Sequence, residues 1–149
     1  MDMNSQALKF WNDYWESEKR TPDTAAEAFQ FGADADWLAS LVVEGKKTAA
    51  CSARVLYEIE NEALPQVGQY NIVLDAKEMP AAIIQITQVS VLPMNEVPID
   101  FALAEGEGDY SFWWNAHEQF FAEELKAHNL AYSDTMLLVC ERFKVVHVK

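Results

Sequence analysis

Gly45-Lys46-Lys47-Thr48-Ala49-Ala50-Cys51-Ser52 joins a predicted helix to a predicted strand. Residues 34–44 carry Trp37, Leu38, Leu41 and Val42 at helical spacing behind Asp34, a favourable N-cap. Gly45 ends that helix, because glycine takes the left-handed conformation past a helix end without steric cost. Thr48 then opens a run of small, hydroxyl and β-branched residues, read as a strand over 48–59. A helix that stops at glycine and turns directly into a strand places its two lysines at the junction. A second unusual stretch, Glu105-Gly106-Glu107-Gly108-Asp109, follows half a chain later. The two stretches are expected to face each other across one pocket.

Working outward, residues 5–18 place Leu8, Trp11, Tyr14 and Trp15 on one helical face, and Ser5 or Asn4 can cap its start. Residues 19–23 form a polar break with Pro22, and residues 24–29 read as a short helical turn ended by Gly32. Pro65 and Gly68 break the chain again. Residues 70–74 and 80–92, separated by the polar turn 75–78, read as a β-hairpin. Residues 98–104 form a short helix with Pro98 near its first turn. The helix over 111–128 has Trp113, Trp114, His117, Phe120, Phe121 and Leu125 on one stripe. Residues 135–140 and 143–148 close the chain as strand, with a bend at Arg142. Helices that precede, interrupt and flank mostly antiparallel strands give an α+β fold, a small barrel-like sheet covered by helices.

The 149 residues fit one domain, 1–149, with the N-terminal helices of residues 1–44 packing on the barrel. No apolar run reaches the length of a membrane span. The acidic, polar N-terminus is unlike a secretory leader. The two cysteines, Cys51 and Cys140, are too few for a disulfide framework, so a reducing cytoplasm and free thiols are expected. Acidic residues outnumber basic ones by 24 to 11, for a net charge of -13. Between Arg54 and Lys126 the only basic residue is Lys77. A phosphate-binding face needs a basic stripe, which excludes extended duplex nucleic acid as a partner. One nucleotide or a nucleoside could still enter a local pocket beside Lys46, Lys47 and Arg54.

Three stretches together resemble the ASCH domain family: Gly45-Lys46-Lys47-Thr48-Ala49, the segment from Phe101 to Asp109, and the helix from Trp113 to Phe121. Phe10-Trp11 and the stretch from Ala28 to Gly32 resemble its longer bacterial members. The resemblance implies a fold related to the PUA domain, a mixed or antiparallel β-barrel with flanking helices. It implies a cleft in which a Gly-x-Lys turn faces an Ala-x-x-Glu segment. It also implies action on RNA or modified nucleosides: some small members resemble N4-acetylcytidine amidohydrolases using a Lys, a Thr and a Glu, and others are reported as ribonucleases. Carried over, the lysine falls on Lys47 and the glutamate on Glu105, while the threonine position is Ala50.

The candidate catalytic residues are therefore Lys47 and Glu105, and the candidate ligand-binding residues are Lys46, Thr48, Ser52, Arg54, Glu107 and Trp113. A lysine serves as a base only when burial lowers its pKa, and a neighbouring carboxylate raises it instead. Lys47 close to Glu105 is expected to stay charged in an empty site. Thr48, Cys51 and Ser52 are the hydroxyl and thiol groups near Lys47 that could replace the missing threonine; along a strand Thr48, Ala50 and Ser52 share a face, and Cys51 points the other way, as a small core residue. Asp109 or Ser111 is expected to cap the following helix. His117 reads as a packed residue with one hydrogen bond, and Trp113 as core or as a wall on which a base stacks. No cofactor and no metal site are expected. The acidic loop lacks the length of a calcium hand, and His128 and His147 have no ligand at suitable spacing. Three functions follow: a pocket for a nucleoside or short single-stranded RNA with amide hydrolysis on a modified base, a ribonuclease or RNA-binding module, and a non-catalytic structural or regulatory domain.

Overall fold

The computed structural model describes residues 3–149. In chain order the elements are α1 (Ser5–Ser17), β1 (Glu27–Gln30), α2 (Ala35–Val43), β2 (Ala49–Ala53), α3 (Arg54–Ile59), β3 (Tyr70–Leu74), β4 (Pro80–Pro93), α4 (Ile99–Ala104), α5 (Tyr110–Ala127) and β5 (Leu137–Val148). The strands form one sheet in the order β1-β3-β4-β5-β2. Only β1 and β3 run parallel; the other neighbours are antiparallel. The sheet is thus mixed, an α+β half-barrel with helices on its flanks.

The long β4–β5 ladder carries two irregularities that curl it. Ile86 faces Phe143 and Gln88 faces Arg142, leaving Thr87 as an extra residue on β4. Ile83 faces His147 and Ile84 faces Val145, leaving Val146 as an extra residue on β5. Each such bulge bends its strand and increases local twist. Two expected strands at the C-terminus are in fact one, and the irregularity lies opposite Arg142 rather than as a break in the strand.

Two other expectations are corrected. Residues 24–29 are not a helical turn: Glu27–Gln30 pair in register with Asn71–Leu74 as an edge strand. Sheet pairing here overrides the helix-forming Ala-Ala-Glu-Ala composition. The strand from residue 48 stops at Ala53, and residues 54–59 wind into α3. An i,i+4 ion pair, Arg54 Nη1 to Glu58 Oε1 at 3.0 Å, spans that helix. Val55 and Leu56 turn inward against the core.

The core lies in three clusters around the sheet. α1 buries Ala7, Trp11 and Trp15 against Ile72, Leu74 and Ile83, with Tyr70 edge-on to both tryptophans. α2 packs Ala39 and Val42 on Val73, Ile84 and Phe143. α4 and α5 pack Phe101, Trp113 and Phe121 against Ala49, Ala53, Leu138 and Cys140. The first 44 residues thus contribute both helices and the edge strand β1. No helix is long and apolar enough to cross a membrane among the described residues.

Candidate functional site

The two lysine- and glutamate-bearing stretches meet through their backbones. Gly45 has φ +77°, the left-handed turn that ends α2. Thr48 N donates to Ala104 O at 2.8 Å, fixing the end of α4 to the chain entering β2. Gly106 has φ +76°, and a Cβ there would press into the Lys46 carbonyl group. Only glycine permits this conformation at this closeness. The turn after α4 can therefore lie directly on residues 46 and 47.

That approach buries Lys47 and Glu105 to 1% and 2% exposure. Lys47 Nζ donates to Glu105 Oε1 and to Glu107 Oε2, both at 3.1 Å. A longer contact reaches Glu105 O at 3.4 Å. The ring of Phe31 lies 5.1 Å from Nζ. Burial alone would push the ammonium down, but the two carboxylates outweigh it and hold Lys47 above the ordinary lysine range. Lys47 is thus a cation and hydrogen-bond donor, not a base.

The second oxygen of Glu105 is equally engaged. Oε2 accepts from Trp113 Nε1 at 2.6 Å and from Cys51 Sγ at 3.3 Å. His117 Nε2 lies 3.4 Å from the same oxygen. Burial opposes the charge on Glu105. His117, Lys47 and Trp113 more than compensate, and its pKa falls to about 2. His117 also bonds the Trp113 carbonyl through Nδ1 at 2.8 Å and stacks on the Trp113 ring at 4.6 Å. Burial would lower its pKa, yet Glu105 raises it above the ordinary histidine range. Cys51 is pushed well up by burial and by Glu105, so it stays a thiol.

Cys51, Glu105 and His117 each offer a donor atom within 4.8 Å of the others. This arrangement was not anticipated from spacing, since the three lie on different elements. The Lys47 ammonium already neutralises Glu105, and a dication there would face it at close range. The donor set thus fits a hydrogen-bond network better than a metal centre.

The network opens into a cavity of about 870 Å³. Residues of both sheet edges line it: Glu27, Phe29 and Gln30 of β1, and Ala50, Cys51, Ser52 and Ala53 of β2. It therefore occupies the gap the half-barrel leaves open. Of the candidates, Lys47, Ser52, Glu105 and Glu107 line it. Ser52 Oγ shares a hydrogen bond with Tyr57 Oη at 2.9 Å.

Four candidates do not line the cavity. Lys46 is exposed and pairs with Glu44 at 3.0 Å, because the chain turns its side chain outward beside Gly45. Thr48 Oγ1 is directed at Ala104 O, 3.4 Å away, in the backbone junction. Arg54 is held along α3 by Glu58. Trp113 is buried to 1% and supports Glu105 from behind, so its face is closed to a base.

Cys51, expected as a small core residue, instead faces Glu105. Sequence reasoning left His117 out of the site, and it missed Tyr57, Phe31 and Glu141. The Lys47, Glu105 and Trp113 motifs carried the only available signal; the rest depends on how the sheet curls. Asp109 caps α5, accepting from Phe112 N at 2.8 Å. Both cysteines are free thiols.

The ASCH domain model matches residues 27–147. The chain is 38% identical to protein EF3133 from Enterococcus faecalis V583, with a TM-score of 0.87 over 97% of this chain and 94% of that one. It is 36% identical to the ASCH domain from Lactobacillus crispatus JV V101, with a TM-score of 0.91 over 98% of this chain and 97% of that one. No curated protein matches the chain. With its half-barrel, its Lys47–Glu105 pair and a match over most of its length, the chain belongs to the ASCH domain family.

Proposed function

We propose that the cavity binds a nucleoside without a phosphate, and that its chemistry is directed at an amide on the base. One observation carries the choice of a nucleoside over RNA. Among the described residues seven glutamates line the cavity, namely Glu27, Glu60, Glu62, Glu105, Glu107, Glu124 and Glu141, against one lysine. That lysine is already held between Glu105 and Glu107. A phosphate entering here would meet carboxylates with no free cation to receive it. The same charge opposes the ribonuclease alternative. Phe31, Tyr57, His117 and Phe120 offer aromatic surface to a base.

The chemistry follows from the hydrogen bonds. The long contact from Lys47 Nζ to Glu105 O is the weakest of its three. A substrate carbonyl can displace it and take a charge-assisted bond. On an N-acetylated exocyclic amine, water would add to the acetyl carbon while Lys47 stabilises the developing oxyanion. Glu107, the less buried carboxylate partner of Lys47, would relay the water proton to the exocyclic nitrogen. The C–N bond then breaks, giving free acetate and the amine. Ala50 supplies no hydroxyl, so no covalent intermediate forms at that position.

Calorimetry with N4-acetylcytidine, cytidine and their 5′-monophosphates tests the reading. The nucleosides are expected to bind and the monophosphates to bind more weakly, with Lys47→Ala abolishing the difference between acetylated and plain cytidine. Tighter binding of the monophosphates, or no nucleoside binding at all, overturns it.

A further inference from the structure

We infer that Glu141 is a second anchor in this cavity, on a different wall from Lys47, and that it selects a nucleobase carrying positive charge, such as an N-methylated purine or pyrimidine. This rests on the proposed nucleoside site and names its ligand class. Glu141 lies on β5, in register with Ala50 on β2 and Val89 on β4, so its cross-strand neighbours offer it no polar partner. It lines the cavity. Among the described residues it makes no ion pair and no side-chain hydrogen bond. The nearby cations are committed elsewhere. Arg142, next in the strand, is bonded to Asp100 at 2.9 Å and lies over Phe101. Arg54 is bonded to Glu58, and Lys47 to Glu105 and Glu107.

The titratable groups around Glu141 add no positive charge. They are Tyr57 of α3 and Cys140 on its own strand. Burial without a partner raises the Glu141 carboxyl to about 7. A neutral base leaves that situation unchanged. A base with a fixed charge supplies the missing cation, restores the carboxylate and rests against aromatic faces such as Phe31, Tyr57 and Phe120. The other acidic side chains of the cavity favour the same charge.

The experiment compares 1-methyladenosine with adenosine, and 3-methylcytidine with cytidine, by calorimetry at pH 7 in two buffers of different ionisation enthalpy. Each methylated, cationic member is expected to bind about tenfold or more tightly than its neutral partner. Its binding is expected to release a fraction of a proton, read from the buffer dependence, because burial raises the carboxyl to about 7 and a bound cation restores the carboxylate. Glu141→Gln, checked for folding by circular dichroism, should erase both the preference and the proton release. Equal affinity within both pairs overturns the inference, as does a preference that survives Glu141→Gln, and in either case the nucleoside site stands. If no nucleoside binds, the site itself falls and the inference with it.

Discussion

Lys47 Nζ and Glu105 Oε1 stand 3.1 Å apart with both side chains almost fully buried. Removing one charge from such a pair leaves the other stranded in a low-dielectric environment, at a cost of about 3–5 kcal/mol. Lys47→Met should therefore destabilise strongly in urea. Glu105→Gln should do the same, since Lys47 would retain only Glu107. The double variant should lose clearly less than the sum, because no unpaired charge remains between positions 47 and 105. Additive losses would show that the two groups do not act as a pair.

The pH dependence follows with opposite signs at different groups. Glu105 is depressed to about 2, so its stabilisation is present above the ordinary glutamate range and lost as pH falls through about 2. His117 is raised, so its contribution is full below the ordinary histidine range and lost as pH rises through its folded pKa. Glu141 is also raised, to about 7, so the native state holds its proton more firmly than the unfolded chain. Its contribution is full below the ordinary glutamate range and is lost as pH rises through about 7. Glu141→Gln should consequently gain stability over the native protein at pH 8, by roughly 2 kcal/mol, and lose that advantage by pH 4. Thermal melts across this range check it. A gain that is the same at both pH values would assign the effect to packing.

Two glycines with nearly the same φ should respond differently. Gly45→Ala meets open space and pays only for its left-handed backbone, about 1 kcal/mol. Gly106→Ala pays that cost and also collides with the Lys46 carbonyl group. It should cost about 2–3 kcal/mol, and it should weaken nucleoside binding by displacing Glu105 and Glu107 from Lys47. Denaturant titration and calorimetry on both variants decide this. Equal costs would mean that the contact with Lys46 relaxes freely.

The elements legible from sequence are those whose own pattern matches their packing. Trp11 and Trp15, Leu38 and Val42, and Trp113 and Phe121 repeat at helical spacing because each helix buries one face. The β3–β4 hairpin is legible because β4 is long and rich in β-branched residues and the turn is polar. β1 is hidden because a short segment with three helix formers, Glu27, Ala28 and Gln30, becomes a strand only by pairing with β3. α3 is hidden because Val55 and Ile59 favour strand locally, whereas the chain must leave the sheet edge at Arg54. Lys47 and Glu105 are visible through their glycine-flanked motifs. Cys51, His117 and Glu141 are not. They come from β2, α5 and β5, and only the curl of the sheet brings them to one cavity.

The remaining prediction concerns position 50, where the family resemblance implies a threonine and this chain has alanine. Ala50 lines the cavity on β2, three residues beyond Lys47 and opposite Glu141. The other hydroxyl and thiol groups nearby are poorly placed to replace it. Thr48 is tied to the Ala104 carbonyl, Ser52 to Tyr57, and the Cys51 thiol is kept protonated beside Glu105. The native protein should therefore turn over N4-acetylcytidine slowly, by water attack alone. Ala50→Thr puts a hydroxyl where Lys47 can lower its proton affinity, and should raise kcat about 10²-fold or more with little change in KM. Liquid chromatography of released cytidine measures both. A fast native protein would mean that Ser52 or Cys51 already supplies the nucleophile, and Ser52→Ala and Cys51→Ala, made singly, would show which. If neither the native protein nor Ala50→Thr releases cytidine while both bind the nucleoside through Lys47, hydrolysis is excluded and the cavity is a binding site alone.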